Sequence, residues 1–209
     1  MIPERLASLD WNRLALHGAV WRDDFCQIAD ELRGELVRYP GWKPMRTGHG
    51  IDYERQTGIT TGHIVKGRPP ELELCQAFAA SLRDQATDLA SLVGATLEAQ
   101  LAVETNGMAY GQGAWLSRHS DEQSRRRVAW ILYLTDPGDA EWPEDWGGAL
   151  VLSSDDHRVV LRPRFNRFAA FRVSPTSWHE ITRVQRQVGW EQARLALSGW
   201  IVSWTEAPA

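Results

Sequence analysis

No stretch of this chain approaches the roughly 20 consecutive apolar residues that a helix needs to cross a bilayer. The N-terminal "MIPERLASLDWNRL" also lacks an apolar run of signal-peptide length. The expectation is therefore a cytoplasmic protein with no membrane partner. Cysteine is scarce, with only Cys26 and Cys75 among 209 residues. Both fall in segments of helical periodicity and match no metal-binding or redox spacing, so they read as reduced, buried thiols. An excess of one charge is missing too. The formal net charge is -4, with acids and bases mixed along the chain, which provides no general attraction to nucleic acid or to an anionic surface. Internal repeats, low-complexity tracts and an interdomain linker are absent. A length of 209 residues then suggests one domain over 1–209.

Tryptophan, by contrast, is abundant: eleven residues, six of them from Trp115 to Trp190. An aromatic-rich core would account for them; a sharper expectation is a C-terminal half that encloses an apolar pocket. In "DDFCQIADELRGELVR" (23–38), Phe25, Ile28, Ala29, Leu32 and Leu36 recur at helical spacing, with acids first and Arg38 last, which predicts a helix. "YPGWKPMRTGHG" reads as loop and "GITTGHIVKG" as a short strand pair. Beyond Pro69 and Pro70, the positions of Cys75, Phe78, Leu82 and Leu89 predict a second long helix reaching about Val93.

From about residue 96 the pattern changes to short β-type runs, among them "AQLAVETNGMAY", "RVAWILYL", "GALVLSS", "HRVVLRP", "NRFAAFRV", "HEITRV" and "RLALSGWIVSW". Two helices first and strands afterwards argue against alternating βαβ units. The expected fold is mostly β with N-terminal helices: a double-stranded β-helix core (jelly-roll, cupin-like) over 96–209, and a mainly helical support region over 1–95 packed on one sheet.

The chemistry starts at "GAWLSRHSDEQSRRR" (113–127). Residues two apart on an extended segment share a face, so His119 and Asp121 present an imidazole and a carboxylate to one point. A third ligand must come from elsewhere. Of the six histidines, His17 precedes the first helix, His49 and His63 lie in the Gly-rich region, and His157 sits in a polar turn. His179 opens the strand "HEITRV" deep in the β-rich half. Two histidines and one carboxylate form a facial triad that suits non-haem Fe(II) and keeps positions open, although zinc accepts the same set. In the last strand Arg194 alternates onto one face with Ala196, Ser198 and Trp200. A guanidinium among apolar residues is costly without an anion, so Arg194 is expected to grip a carboxylate bidentately, or else to form an internal ion pair or reach solvent. Tyr133 alternates away from Leu132 and Leu134, and its phenol could add a contact to the same anion.

"GMAYGQGAWLSRHSD", "RRVAWILYLTD", "WGGALVL", "VVLRPRFNRFAAFRV", "SWHEITRV" and "RLALSGWIV", in unbroken order over about 107–204, resemble the Fe(II)- and 2-oxoglutarate-dependent dioxygenases, specifically their prolyl-hydroxylase-like branch. The resemblance implies His119, Asp121 and His179 as iron ligands and Arg194 as partner of the 2-oxoglutarate C5 carboxylate, assisted by Tyr133. It implies pocket-lining roles for Leu150 and Ser198, and places Tyr110, Trp115 and Trp200 at the substrate pocket. Fe(II), 2-oxoglutarate and O2 are the implied cofactors, with ascorbate as the reductant in vitro. A carboxylate at Asp121 favours hydroxylation over halogenation, since related halogenases carry a small residue there. The gap from His179 to Arg194, containing "QRQVGWEQA", is longer than in oxygen-sensing members, and the first hundred residues match only in general character.

The implied substrate is a prolyl residue of a peptide or protein, or a proline-like amino acid or natural-product intermediate. "TDPGDAEWPEDW" is either a solvated hairpin loop or a lid whose acids meet a basic substrate, whereas "RRR" could meet an acidic one or mark a loop-to-strand junction with Arg127 at the strand start. Dealkylation or desaturation by the same oxidant, and a non-catalytic metal-bearing β-barrel binding module, are the alternatives.

Overall fold

The computed structural model describes residues 6–44, 63–66, 70–123, 125–136, 138, 142–186, 189 and 192–205. In chain order these form β1 (Asn12–Arg13), β2 (Val20–Arg22), α1 (Ala29–Arg38), β3 (Lys43–Pro44), β4 (His63–Lys66), α2 (Glu73–Asp84), α3 (Ala86–Val93) and β5 (Gln100–Tyr110). There follow β6 (Leu116–His119), β7 (Arg126–Tyr133), β8 (Leu150–Ser153), β9 (Arg158–Leu161), β10 (Phe168–Arg172), β11 (Trp178–Ile181) and β12 (Arg194–Trp204). Two antiparallel sheets result, one in the order β1-β2-β10-β7-β12-β5-β4-β3 and a smaller one in the order β6-β11-β8-β9.

Alternation along the long strands decides which side chains meet. On β12, Leu195, Leu197 and Ile201 point with Val103 and Ala109 of β5 into the core beneath the helices. That core takes Leu32 and Leu36 from α1, Phe78 and Leu82 from α2, and Leu89 and Val93 from α3. The intervening residues Ala196 and Trp200 face the other way, with Met108 and Tyr110 of β5, into a second cluster shared with Leu150, Leu152, Leu161 and Ile181 of the smaller sheet. The space between the sheets is therefore lined from both sides. Such a chamber can hold polar groups only if they are paired.

Three sequence expectations need correction. The first helix begins at Ala29 rather than at residue 23. Asp23 instead forms ion pairs with Arg167 (2.6 Å) and Arg164 (3.2 Å), Asp24 adopts a positive φ of 51°, and Phe25 stacks on Phe168 with ring centroids 4.3 Å apart. The Asn166 side chain accepts from Cys26 N–H (2.7 Å) and donates to its carbonyl (2.9 Å), fixing this segment as a tether to β10. The second helix is two: α2 stops at Asp84 and α3 starts at Ala86. Gln85 between them turns its side chain to accept from Leu6 N–H (2.8 Å). Finally, strands precede the helices, because β1 pairs with β2 and β2 completes the larger sheet beside β10. Of the anticipated strand pair "GITTGHIVKG", the described part is β4, which pairs with β3 and β5; residues 58–62 and 67 lie outside the described residues. Both cysteines are buried and unpaired, and burial pushes each thiol's pKa up.

Helix ends explain how α1 and α2 stay together. Leu72, the residue just before α2, offers no side-chain cap. Glu35 of α1 supplies one, its carboxylate accepting from Leu74 N–H and Cys75 N–H, each at 2.9 Å. A negative group at a helix N-terminus is favoured by both hydrogen bonding and the helix dipole. Glu35→Ala should cost about 1 kcal/mol, read as a fall of roughly 2–4 °C in melting temperature by calorimetry. An unchanged melting temperature would deny Glu35 this role.

Candidate metal centre

β6 and β11 pair so that His119 stands directly across from His179. Each imidazole is held in the same way: Nδ1 lies 2.7 Å from the Ser117 carbonyl for His119 and 3.0 Å from the Ser177 carbonyl for His179. The donor at Nδ1 must be N–H, which leaves the Nε2 lone pair of both rings exposed to the space between them. Ser177 is itself pinned, accepting from Ser174 N–H (2.9 Å) and donating to the Ser174 carbonyl (2.8 Å). Phe171 sets its ring edgewise against His179, centroids 4.9 Å apart.

Asp121, just past the end of β6, completes the cluster. Its Oδ1 is 3.5 Å from His119 Nε2 and its Oδ2 is 3.2 Å from His179 Nε2. All three residues are buried, and one ligand atom from each lies within 4.8 Å of the others. Burial alone would raise the Asp121 pKa, but the facing imidazoles hold it well below the usual carboxylate range. For His179, burial lowers the pKa and Asp121 more than restores it, leaving it raised. Once deprotonated, the two Nε2 atoms and one carboxylate oxygen converging on one point could hold a divalent transition metal, with other positions free for further ligands.

A fourth side chain at this carboxylate was not anticipated. The sequence reading put Arg127 at the start of the strand, yet β7 begins at Arg126, and its pairing with β12 slips by one residue between Ile201 and Val202. Such a bulge re-aims side chains. Arg126 thereby reaches Asp121 Oδ1 (3.5 Å) and lies 3.4 Å over the Trp200 ring, whereas Arg127 pairs with Glu98 (3.9 Å). Nothing in "RRR" signals a bulge.

Farther along the same chamber, Arg194 opens β12 opposite Tyr110 and is 1% exposed. Its guanidinium carbon lies 5.1 Å from the Tyr110 ring centroid and 5.0 Å from that of Tyr133. Nε donates to the Gly148 carbonyl (2.5 Å), a partner the sequence reading missed, so the guanidinium is left to act through its Nη atoms. Nη2 and the Tyr133 hydroxyl are buried with no hydrogen-bond partner. Burial pushes the Tyr110 pKa up to about 12 against the pull of Arg194, and pushes the Tyr133 pKa up likewise. Both phenols therefore stay protonated. A buried cation flanked by unpaired O–H and N–H donors matches an anion.

Leu150, Tyr110, Tyr133 and Trp200 share the chamber's apolar cluster, and Ser198 is half-buried on the same face of β12. Trp115 is not in that cluster; it is half-buried beneath Arg183, 5.3 Å from its ring centroid. The indole N–H groups of both Trp115 and Trp200 are buried without an acceptor. The other described tryptophans between Trp115 and Trp178 do not gather round one pocket. Trp130 faces the helices beside Phe78 and Phe168, Trp178 lies under Arg118, and Trp142 and Trp146 pack edge to face near Arg186. Trp190 lies outside the described residues, as do His49 and residues 137 and 139–141 of the acidic loop. His17 bonds the Ser153 carbonyl (3.1 Å) and is not among the three clustered groups.

Comparisons with known proteins agree with this chemistry. Residues 105–202 match the 2OG-Fe(II) oxygenase superfamily. The prolyl 3-hydroxylase OGFOD1 of Mus musculus is 39% identical over 89 residues, which cover 39% of this chain and 15% of that protein. The prolyl 3,4-dihydroxylase OGFOD1 of Ostreococcus tauri is 32% identical over 108 residues, 47% of this chain and 20% of that protein. The chain thus spans at most 20% of the length of these two relatives. A solved Pseudomonas putida prolyl-4-hydroxylase superposes with a TM-score of 0.67 at 24% identity, covering 90% of this chain and 95% of that one, which shows a shared fold.

Proposed function

We propose that this chain, a prolyl-hydroxylase-like 2OG-Fe(II) oxygenase by the resemblance of its residues 105–202, hydroxylates an aliphatic C–H bond of a prolyl residue in a peptide or protein, or of a proline-like small molecule. The observation that carries this reading is one chamber holding both a buried His119–Asp121–His179 cluster and a buried Arg194 with an unpaired Nη2. A metal-bearing binding module would need the first and not the second.

His119 Nε2, His179 Nε2 and one Asp121 oxygen would hold Fe(II). Arg194 and Tyr133 would hold the remote carboxylate of 2-oxoglutarate, whose other end would chelate the metal. When bound, Fe(II) supplies the oxidation in which 2-oxoglutarate and O2 become succinate and CO2 and a substrate C–H becomes C–OH. The protein's share is positioning. The Ser117 and Ser177 carbonyls fix the two imidazoles, Arg126 steadies the carboxylate, and Leu150 with Ala196 and Ile181 excludes water beside the anion. Tyr110, Trp115, Ser198 and Trp200 would line the substrate's approach.

From β5 to β12 the strands pass between the larger and smaller sheets in the order larger, smaller, larger, smaller, smaller, larger, smaller, larger. That sequence supports a double-stranded β-helix core, with residues up to 95 as its support. Two unpaired thiols support a cytoplasmic setting. Among the described residues no helix is long and apolar enough to cross a membrane.

The test is succinate release by purified protein with Fe(II), ascorbate, 2-oxoglutarate and either proline-containing peptides or free proline, against His119→Ala. Substrate-dependent succinate with a gain of one oxygen in the product supports hydroxylation. Succinate no higher than the His119→Ala background with every substrate would favour the binding module, and product lacking an added oxygen would favour dealkylation or desaturation.

Gly148 allows a finer check. Its φ is +71°, and a Cβ there would come within 3.0 Å of Arg194 Cδ and 3.2 Å of Val184 Cγ2. Gly148→Ala should displace the arginine and weaken 2-oxoglutarate about tenfold with Fe(II) affinity unchanged, measured by titration. Equal 2-oxoglutarate affinity would mean the arginine is not seated by this glycine.

A further inference from the structure

Three buried polar atoms without partners belong to residues where β7 and the start of β12 meet. Two are Arg194 Nη2 and the Tyr133 hydroxyl; the third is Thr135 Oγ1, in a residue 1% exposed. The pairing of β7 with β12 sets Tyr133 opposite Ala196. Past the end of β7 the ladder continues for one more bond, with Leu134 N–H donating to the Leu195 carbonyl (2.8 Å). In that register Thr135 falls opposite Arg194. Alternation puts it on the chamber side, because Tyr133 belongs to the chamber cluster and Leu134 to the core beneath the helices.

A buried hydroxyl with no partner is costly, and threonine could be replaced by isosteric valine at no loss of packing. With Nε committed to the Gly148 carbonyl, Arg194 has only its Nη atoms to offer a carboxylate. A carboxylate has two oxygens with about four acceptor sites. We propose that the Thr135 hydroxyl is a third donor to the remote carboxylate of a 2-oxo dicarboxylic acid, completing the cradle of Arg194 and Tyr133. The inference rests on the cosubstrate reading above and adds a residue that selects for the second carboxylate.

The experiment loads wild type, Thr135→Val and Thr135→Ser with Mn(II) and measures binding of 2-oxoglutarate and of 2-oxovalerate, which lacks the remote carboxylate, by calorimetry. Thr135→Val should weaken 2-oxoglutarate about tenfold, leave 2-oxovalerate and Mn(II) unchanged, and melt no lower than wild type without metal. Thr135→Ser should bind close to wild type. If Thr135→Val binds 2-oxoglutarate as tightly as wild type, or loses both acids equally, the hydroxyl has no such role while the cosubstrate reading stands. If wild type itself takes 2-oxoglutarate no better than 2-oxovalerate, the cosubstrate reading falls and the role of Thr135 with it.

Discussion

Asp121→Ala should abolish iron retention and leave the fold in place. The carboxylate is one of three converging ligand groups and the only one carrying negative charge, so its loss removes both a donor and the compensation for a divalent cation. Losing an outer partner of a metal ligand costs roughly 10- to 100-fold in affinity, and losing the ligand itself should exceed that. Arg126, deprived of its contact with Asp121, keeps its stacking on Trp200 and its proximity to Glu104, so no cation is stranded. Anaerobic dialysis against Fe(II) followed by metal analysis, with circular dichroism as a check on folding, reads the outcome. Near-stoichiometric iron in a folded Asp121→Ala protein would remove this residue from the site.

Arg194→Ala should give the second large effect and the opposite case, with iron retained and 2-oxoglutarate lost. A charge-assisted contact to a buried carboxylate is worth about 2–3 kcal/mol or more, so the 2-oxoglutarate requirement should rise at least thirty- to hundredfold. Arginine fills a tightly enclosed place between Tyr110, Tyr133 and Gly148, so alanine also opens a cavity. Arg194→Lys guards against misreading that loss. Lysine retains the charge and much of the stem but not the planar fork, so it should recover stability and only part of the affinity. Unchanged 2-oxoglutarate affinity in a folded Arg194→Ala protein would sink the assignment of this residue.

The parts of the site that could be read in the sequence were those governed by strict strand alternation. His119 and Asp121 two apart, Arg194 in phase with Ser198 and Trp200, and Tyr133 out of phase with its leucines all depend only on the two-residue repeat of an extended chain. Arg126 was hidden because a bulge breaks that repeat. Thr135 and Gly148 were hidden because their positions follow from a ladder continuing past a strand end and from a close backbone approach. In the N-terminal half, β1 and β2 have two and three residues, too few for any periodicity to show. Phe25 and Ile28 fit a helical stripe equally well whether the chain coils there or is tied to β10. Tertiary bonds from Asn166 and Arg167 decided the matter, and no local pattern encodes them. The tryptophans misled for a related reason: their number signals burial, but strand phase and stacking arginines determine which side of a sheet each one serves.

If the reading of the site is right, one chamber holds iron and 2-oxoglutarate together. Anaerobic titration of the metal-free protein with Fe(II), then with 2-oxoglutarate, tests it before any substrate is known. A weak visible charge-transfer band should appear only when both are present and saturate at one equivalent of iron. In Arg194→Ala the band should need far more 2-oxoglutarate. Fe(II) binding with no band at saturating 2-oxoglutarate would mean that the chamber does not take this cosubstrate, and would leave a metal-bearing binding module in its place.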